Sequence, residues 1–171
     1  MKKEVYYQAI LELSKEKSLS AISVRDIAKH LDISTGSLYY HFKSKEDLLN
    51  QMFVFYKTNQ ANFIDAINDE PKVLLQKHIE YNQEHNTEFS FVYSTELANI
   101  LNDESVALSL DAHLRFLDKL GLEYGRDSHI TTIIFGTIRS YLVSPNYMLR
   151  CDLNKLVDEL IIILENYKQS L

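Results

Sequence analysis

Only four glycines and two prolines occur in the 171 residues of this chain, where average usage would give roughly twenty. A β-sandwich or barrel of this length needs many Gly/Pro-rich turns between short strands. The shortage therefore predicts long helices with few connections. Hydrophobic content of 46% and charged content of 25% are ordinary for a folded domain and argue against disorder. The expected fold class is all-α.

The breakers and polar clusters divide the chain into helices. The first spans about 3–17, with Val5, Ala9, Ile10 and Leu13 at helical spacing. Ser23 can cap a short helix over 24–31, and Ser34 another over 35–42. Ser44-x-x-Asp47 resembles a capping box, opening a long helix expected to stop near Asp69-Glu70-Pro71. Further helical patterns cover about 72–86, 88–101, 104–119, 127–143 and 152–168. The stretch Ile130–Val143 is rich in β-branched residues, but a lone strand would leave its backbone unpaired, so a helix is expected there.

Cys151 is the single cysteine, which excludes a disulfide framework and a thiolate metal cluster. The run Leu160–Leu164 is far short of the ~20 apolar residues a membrane span needs. A cytoplasmic protein with no membrane partner is expected. The formal net charge of −6 at first argues against nucleic acid, whose binders are usually basic. The distribution says otherwise. Residues 1–50 hold eight Lys/Arg and seven Asp/Glu, a net of +1, while the remaining 121 residues hold ten and seventeen, a net of −7.

The informative segment is 23–45, SVRDIAKHLDISTGSLYYHFKSK. Two short helices separated by three residues are marginal alone and must pack on the first helix, as in a helix-turn-helix. Leu38 and Phe42, four apart, face the core, leaving Thr35, Gly36, Ser37, Tyr39, Tyr40 and His41 outward or near the helix ends. Hydroxyls, imidazole and backbone N–H groups can bond phosphate oxygens, and small side chains let a helix seat in the major groove. Equally, the segment could be a connecting turn with part-buried tyrosines. Residue types alone leave both readings open.

The segment resembles the DNA-binding domain of TetR-family transcriptional regulators. Their pattern is close to S/T-x-R-D-I-A-x-x-x-G-V-S-x-G-x-L-Y-x-H-F-x-S-K-E-x-L, and residues 23–48 read SVRDIAKHLDISTGSLYYHFKSKEDL. Asp32 stands where the family has its turn glycine, a position that often needs positive φ, which Asp tolerates better than most residues. The resemblance implies an N-terminal three-helix helix-turn-helix DNA-binding domain, 1–45, and a C-terminal helical bundle for effector binding and dimerisation, 46–171. Arg25, Thr35, Gly36 and Tyr39 then resemble base-facing positions. Ser23, Ser37, Tyr40, His41 and Lys45 resemble phosphate or sugar contacts, with Lys45 and neighbouring N–H groups clamping the backbone.

The resemblance further implies a homodimer through the last two helices. Consistent with that, the final helix, 152–168, is apolar on more than one side, and Gly136 and Ser140 would permit close approach in the helix before it. Such a regulator, a repressor in the usual case, would bind a palindromic double-stranded DNA operator and be released by a small-molecule effector. Tyr56, Gln60, His78, Tyr81, Asn82, Phe89, Tyr93, His113 and Tyr141 mix aromatic and polar character on central helices and are the candidate ligand residues. Nineteen aromatics without tryptophan lean toward an aromatic or lipophilic effector. No cofactor or metal is expected, since His78 and His85 lie seven apart and lack the tighter i, i+4 spacing of a ligand pair. No phosphate loop, nucleophile elbow or HExxH appears, so no catalytic residues are assigned. Two alternatives stay open: a family member without DNA binding that acts as a protein co-activator, and a helical-bundle enzyme.

Overall fold

The computed structural model describes residues 2–144 and 151–171, and every regular element among them is an α-helix. In chain order these are α1 (Lys3–Leu13), α2 (Val24–His30), α3 (Thr35–His41), α4 (Lys45–Asp65), α5 (Pro71–Glu84), α6 (Asn86–Leu97), α7 (Asp103–Lys119), α8 (Ser128–Val143) and α9 (Leu153–Gln169). The all-α expectation holds, and the β-branched stretch is helical in α8. Among the described residues no helix is long and apolar enough to cross a membrane.

Local chemistry accounts for most boundaries. Ser23 accepts from the Asp26 N–H while the Asp26 carboxylate accepts from the Ser23 N–H, a complete capping box for α2. Ser34 caps α3 through the Ser37 N–H. Asp32 does take positive φ, at 52°. Around it Ile33 N–H bonds Ala28 C=O at 2.9 Å and Asp32 N–H bonds Lys29 C=O at 3.3 Å, the paired bonds of a Schellman stop. Three boundaries differ from expectation. α1 ends at Leu13, where Ser14 turns its hydroxyl back to the Leu11 carbonyl at 2.8 Å. α4 ends at Asp65, short of the Asp-Glu-Pro signal. α6 ends at Leu97 without a glycine, because Asn99 enters the left-handed region at φ 54°. The α4 cap is also only half a capping box: Ser44 Oγ accepts from Asp47 N–H at 3.1 Å, but the Asp47 carboxylate takes the Lys43 N–H at 2.7 Å.

The chain forms two compact units. The head unit runs to Thr58 and takes in Thr87–Leu108; the body unit comprises Asn59–Asn86 and Ser109–Leu171. The head unit therefore holds more than the three-helix tripod. Its core joins Tyr6 and Ile10 of α1, Ile27 of α2, Leu38 of α3, Met52 and Phe53 of α4, and Phe91 and Val92 of α6. Tyr6 meets Phe42 edge-on at 5.3 Å. Burying a side chain such as Leu38 contributes ~1.5–3 kcal/mol, which is what holds two seven-residue helices that could not persist alone.

In the body unit α5, α8 and α9 pack together through Leu74, Ile79, Ile134, Ile138, Leu160 and Leu164, all buried. Lys119 of α7 donates to the carbonyls of Asp65 (3.2 Å) and Ile67 (2.6 Å), satisfying the end of α4, and Arg115 pairs with the Asp65 carboxylate. The turn between α7 and α8 is tied down by Asp127, whose fully buried carboxylate accepts from Glu123 N–H at 2.6 Å, Tyr167 hydroxyl at 2.7 Å and Arg126 at 2.9 Å. These bonds, the Arg126 one foremost, hold its carboxyl below the usual range. Gly121 in that turn has φ +68°, and a Cβ there would meet Lys168 Nζ at 2.8 Å.

The left-handed Asp32 yields a direct test. Asp32→Gly should leave the thermal midpoint level or raised. Asp32→Val should lower stability by ~1–2 kcal/mol, the cost of a branched side chain in that region. Equal midpoints for the two variants would contradict the strained-turn account.

Candidate nucleic-acid interface

α3 presents two different faces. Leu38 and the C-cap Phe42 are fully buried, while Thr35, Gly36, Ser37, Tyr39 and Tyr40 are exposed. Tyr40 is 86% and Tyr39 55% exposed. Two large aromatics standing in water on a two-turn helix contribute nothing to the core, and that surface suits contact with a partner. Gly36 completes the face. A Cβ at this position would meet only Ser34 Oγ, at 3.6 Å, so nothing inside the chain requires glycine. A helical glycine nevertheless costs ~0.5–1 kcal/mol relative to alanine. The gain must lie outside the chain, in a surface left flush for close approach.

The remaining candidates are placed less simply. Arg25 is exposed in the first turn of α2. The Ser23 hydroxyl donates to Asp26 Oδ2 at 2.6 Å, and Lys17 reaches Asp26 Oδ1 at 2.9 Å. Ser37 Oγ lies 3.1 Å from Ser34 Oγ, and its carbonyl accepts from the Tyr6 hydroxyl at 3.4 Å. His41 is half-buried, its ring 5.4 Å from Tyr6 and 5.1 Å from Tyr40. The Lys45 ammonium donates to the carbonyls of Leu19 (2.7 Å) and Ser20 (3.2 Å), bracing the loop that enters α2. One of its three donors remains for an outside acceptor. At the start of α4 the chain supplies its own anions. Asp47 holds the Lys43 N–H, and the Glu46 carboxyl is kept below its usual range by its own N–H and by Ser44. Sequence reasoning missed these internal claims because the bonds join residues up to 26 apart.

The nine ligand candidates fall in both units. In the head, Tyr56 packs beside Tyr7, Phe55 and Phe91, and burial, with Glu88 nearby, pushes its phenol up to about 12. Phe89 and Tyr93 stack in parallel at 6.5 Å. In the body, Gln60 Nε2 donates to Asn82 Oδ1 at 2.5 Å, and Asn82 Nδ2 donates to the His78 carbonyl at 2.7 Å. The His78 ring lies 4.7 Å from Phe116, and His113 lies 5.0 Å from Phe135, which itself meets Phe116 at 5.2 Å. Tyr81 stacks between Phe63 and His85, at 4.3 and 4.2 Å. Tyr141 accepts from Gln83 at 3.0 Å. Gln60, His78 and Asn82 are thus brought together, whereas His85 is directed to Tyr81 rather than to His78 chemistry.

The head is thus organised around a capped helix-turn-helix whose second helix faces solvent. Residues 7–52 match the family described as bacterial regulatory proteins, tetR family. The uncharacterized HTH-type transcriptional regulator YerO of Bacillus subtilis is 34% identical over 83 residues, 46% of this chain and 29% of that protein. The HTH-type transcriptional repressor KstR2 of Mycolicibacterium smegmatis is 49% identical over 37 residues, 22% of this chain and 18% of that one. The matched stretches thus span less than a third of either relative's length. A crystal structure of a TerR/AcrR-family transcriptional regulator from Aquifex aeolicus VF5 superposes with a TM-score of 0.70 at 22% identity, covering 99% of both chains. At that identity the match establishes the fold. The tetR-family match itself lies within residues 7–52 of the 171-residue chain.

The capping carboxylate of α2 gives a pH signature. Hydrogen bonds from Ser23, then Lys17, hold the Asp26 carboxyl well below the usual range. A depressed carboxyl contributes stability that is complete above its unfolded pKa, ~3.9, and is lost as pH falls further. Thermal midpoints from pH 6 down to 2.5 should fall below pH ~4, and less steeply in Asp26→Asn, whose midpoint at pH 7 is already lowered. Parallel curves for the two proteins would refute the assignment.

Proposed function

We propose that this chain is a repressor that binds a palindromic operator in double-stranded DNA as a homodimer and is released by a small-molecule effector. The observation that carries the reading is the α3 face: Thr35, flush Gly36 and exposed Tyr39 and Tyr40 above a fully buried Leu38 and Phe42. A helix so anchored can enter the major groove as a rigid element. Thr35, Gly36, Tyr39 and Arg25 are the base-facing positions in this reading. Tyr40, His41, Ser23, Ser37 and the third Lys45 donor are the phosphate and sugar contacts. Such a protein works in the cytoplasm, beside its operator.

Dimerisation through α8 and α9 is supported by apolar side chains that their own unit leaves uncovered. Ile133 and Val143 on α8 are 47% and 45% exposed, and Ile162 on α9 is 56% exposed. Among the described residues no side chain lies within 4 Å of a Cβ at Gly136, which supports close approach along that stretch of α8. Two-fold pairing would present two α3 helices to half-sites ~34–36 Å apart. In the body unit, the Gln60–Asn82–His78 group beside Phe116 and Phe135 is the favoured effector contact, and its polar atoms among aromatic rings suit a flat or lipophilic molecule with one or two hydrogen-bonding groups.

Mobility shifts on the DNA upstream of the chain's own coding region should show specific binding that Tyr40→Ala weakens at least tenfold. Gly36→Ala should separate folding from function, raising stability by ~0.5–1 kcal/mol while weakening operator binding. No wild-type binding at low salt, where phosphate contacts are strongest, would overturn the reading in favour of a co-activator. Light scattering should find a dimer at micromolar concentration, and the double variant Ile133→Glu/Ile162→Glu should run as a folded monomer; an unchanged dimer would move the interface elsewhere.

A further inference from the structure

Few polar side chains are buried in the head unit, and one of them fastens two distant segments together. Asn50 of α4 is 6% exposed and lies among the buried Leu48, Leu49, Met52 and Phe53. Its Nδ2 donates to the carbonyls of Glu46 at 2.9 Å and Ile100 at 3.0 Å, and its Oδ1 accepts from the Asn102 N–H at 2.8 Å. The carboxamide therefore brackets the backbone on both sides of Leu101, in the turn between α6 and α7. Asn102 in turn caps α7, its Oδ1 accepting from Ser105 N–H at 2.9 Å. The buried Ser105 hydroxyl beside this cap has no hydrogen-bond partner. Asn50 itself is buried, so a bond lost from its carboxamide leaves a buried polar group unsatisfied.

A leucine would fill this core position without those requirements. Apolar contact fixes only proximity, however, whereas three hydrogen bonds to two carbonyls and an N–H fix register and orientation. The same turn carries Asn99 in the left-handed region. Ile100 and Leu101 pack on the head core, and the Lys57–Glu96 pair at 3.3 Å joins α4 to α6 nearby.

We infer that Asn50 is a positioning residue for operator binding: its carboxamide locks the α6–α7 turn to α4, so that the helix-turn-helix and Thr87–Leu108 move as one body. This rests on the DNA-binding reading above. This amide adds direction to the apolar packing and the Lys57–Glu96 pair, and without it the helix-turn-helix and Thr87–Leu108 lose their fixed orientation while each α3 stays intact.

The test compares wild type, Asn50→Leu and Asn50→Asp as full chains. Asn50→Leu removes all three bonds; Asn50→Asp keeps an acceptor for Asn102 and loses both donated bonds. On a duplex with two half-sites, Asn50→Leu should bind at least tenfold more weakly, because only a fraction of dimers hold both heads in register. On a single half-site the change should stay below twofold, and Asn50→Asp should fall between. Equal losses on both duplexes would show that Asn50 merely supports the fold of the head and would overturn the inference, as would unchanged binding to both. A second readout is independent of DNA. Spin labels at Lys29→Cys and Glu104→Cys, both exposed and both in the head unit, in a Cys151→Ser background diluted with unlabelled chain, should give a broader distance distribution in Asn50→Leu well below its melting temperature. An unchanged distribution overturns the inference even if wild type proves not to bind DNA. Should Asn50→Leu fail to fold, Asn50→Asp carries both measurements, with a smaller effect of the same sign.

Discussion

The burial of Leu38 and Phe42 under α1 and α4 is the interaction on which the rest depends. α2 and α3 have seven residues each, too few to offset the cost of helix nucleation. They exist because side-chain caps satisfy their first N–H groups and because one face of each is committed to the core. That commitment orients the opposite face. With Leu38 pointed inward, helical geometry turns Tyr39 and Tyr40 away from the core. The same packing that folds the head therefore aims it, and no separate device is needed to hold α3 rigid.

Much of this was legible from the sequence, for identifiable reasons. Capping signals are local, so Ser23 before α2 and Ser34 before α3 could be read from spacing alone. The positive φ of Asp32 followed from the resemblance, which has a turn glycine at that position. What escaped were signals carried by tertiary contact. The end of α6 depends on Asn99, a residue as common in loops as in left-handed turns. Asn50 was visible only as a polar residue inside an apolar run, and its partners at Ile100 and Asn102 are about fifty positions away. Asp127 carried no signal in the sequence; its carboxylate binds the turn before α8 and Tyr167 of α9. The grouping of ligand candidates was equally hidden, since helical spacing does not tell which helix a residue such as Tyr56 will meet.

The family pattern and the geometry also weigh the interface residues differently. By pattern, Ser23, Ser37 and Lys45 resemble contacts of equal standing with Tyr40. In the structure the two hydroxyls are engaged in capping, and Lys45 donates two bonds to loop carbonyls. A phosphate that recruits any of them must offset a bond already made, so the net gain is the difference between two charge-assisted or polar contacts rather than the whole of one. Tyr39, Tyr40 and Arg25 stand exposed, and a contact made by them adds more of its strength to binding.

Charge reinforces this division. Residues 1–50 carry a net of only +1 while the rest of the chain carries −7, so long-range attraction of the helix-turn-helix segment to a polyanion is weak. The chain's own carboxylates at the start of α4, Glu46 and Asp47, further dilute the positive end of that helix dipole. Affinity of such a head cannot come from a broad basic surface. It has to come from a small number of well-placed contacts. Rigidity within the head unit, from the buried face of α3 to the carboxamide of Asn50, thereby supplies what the modest charge does not.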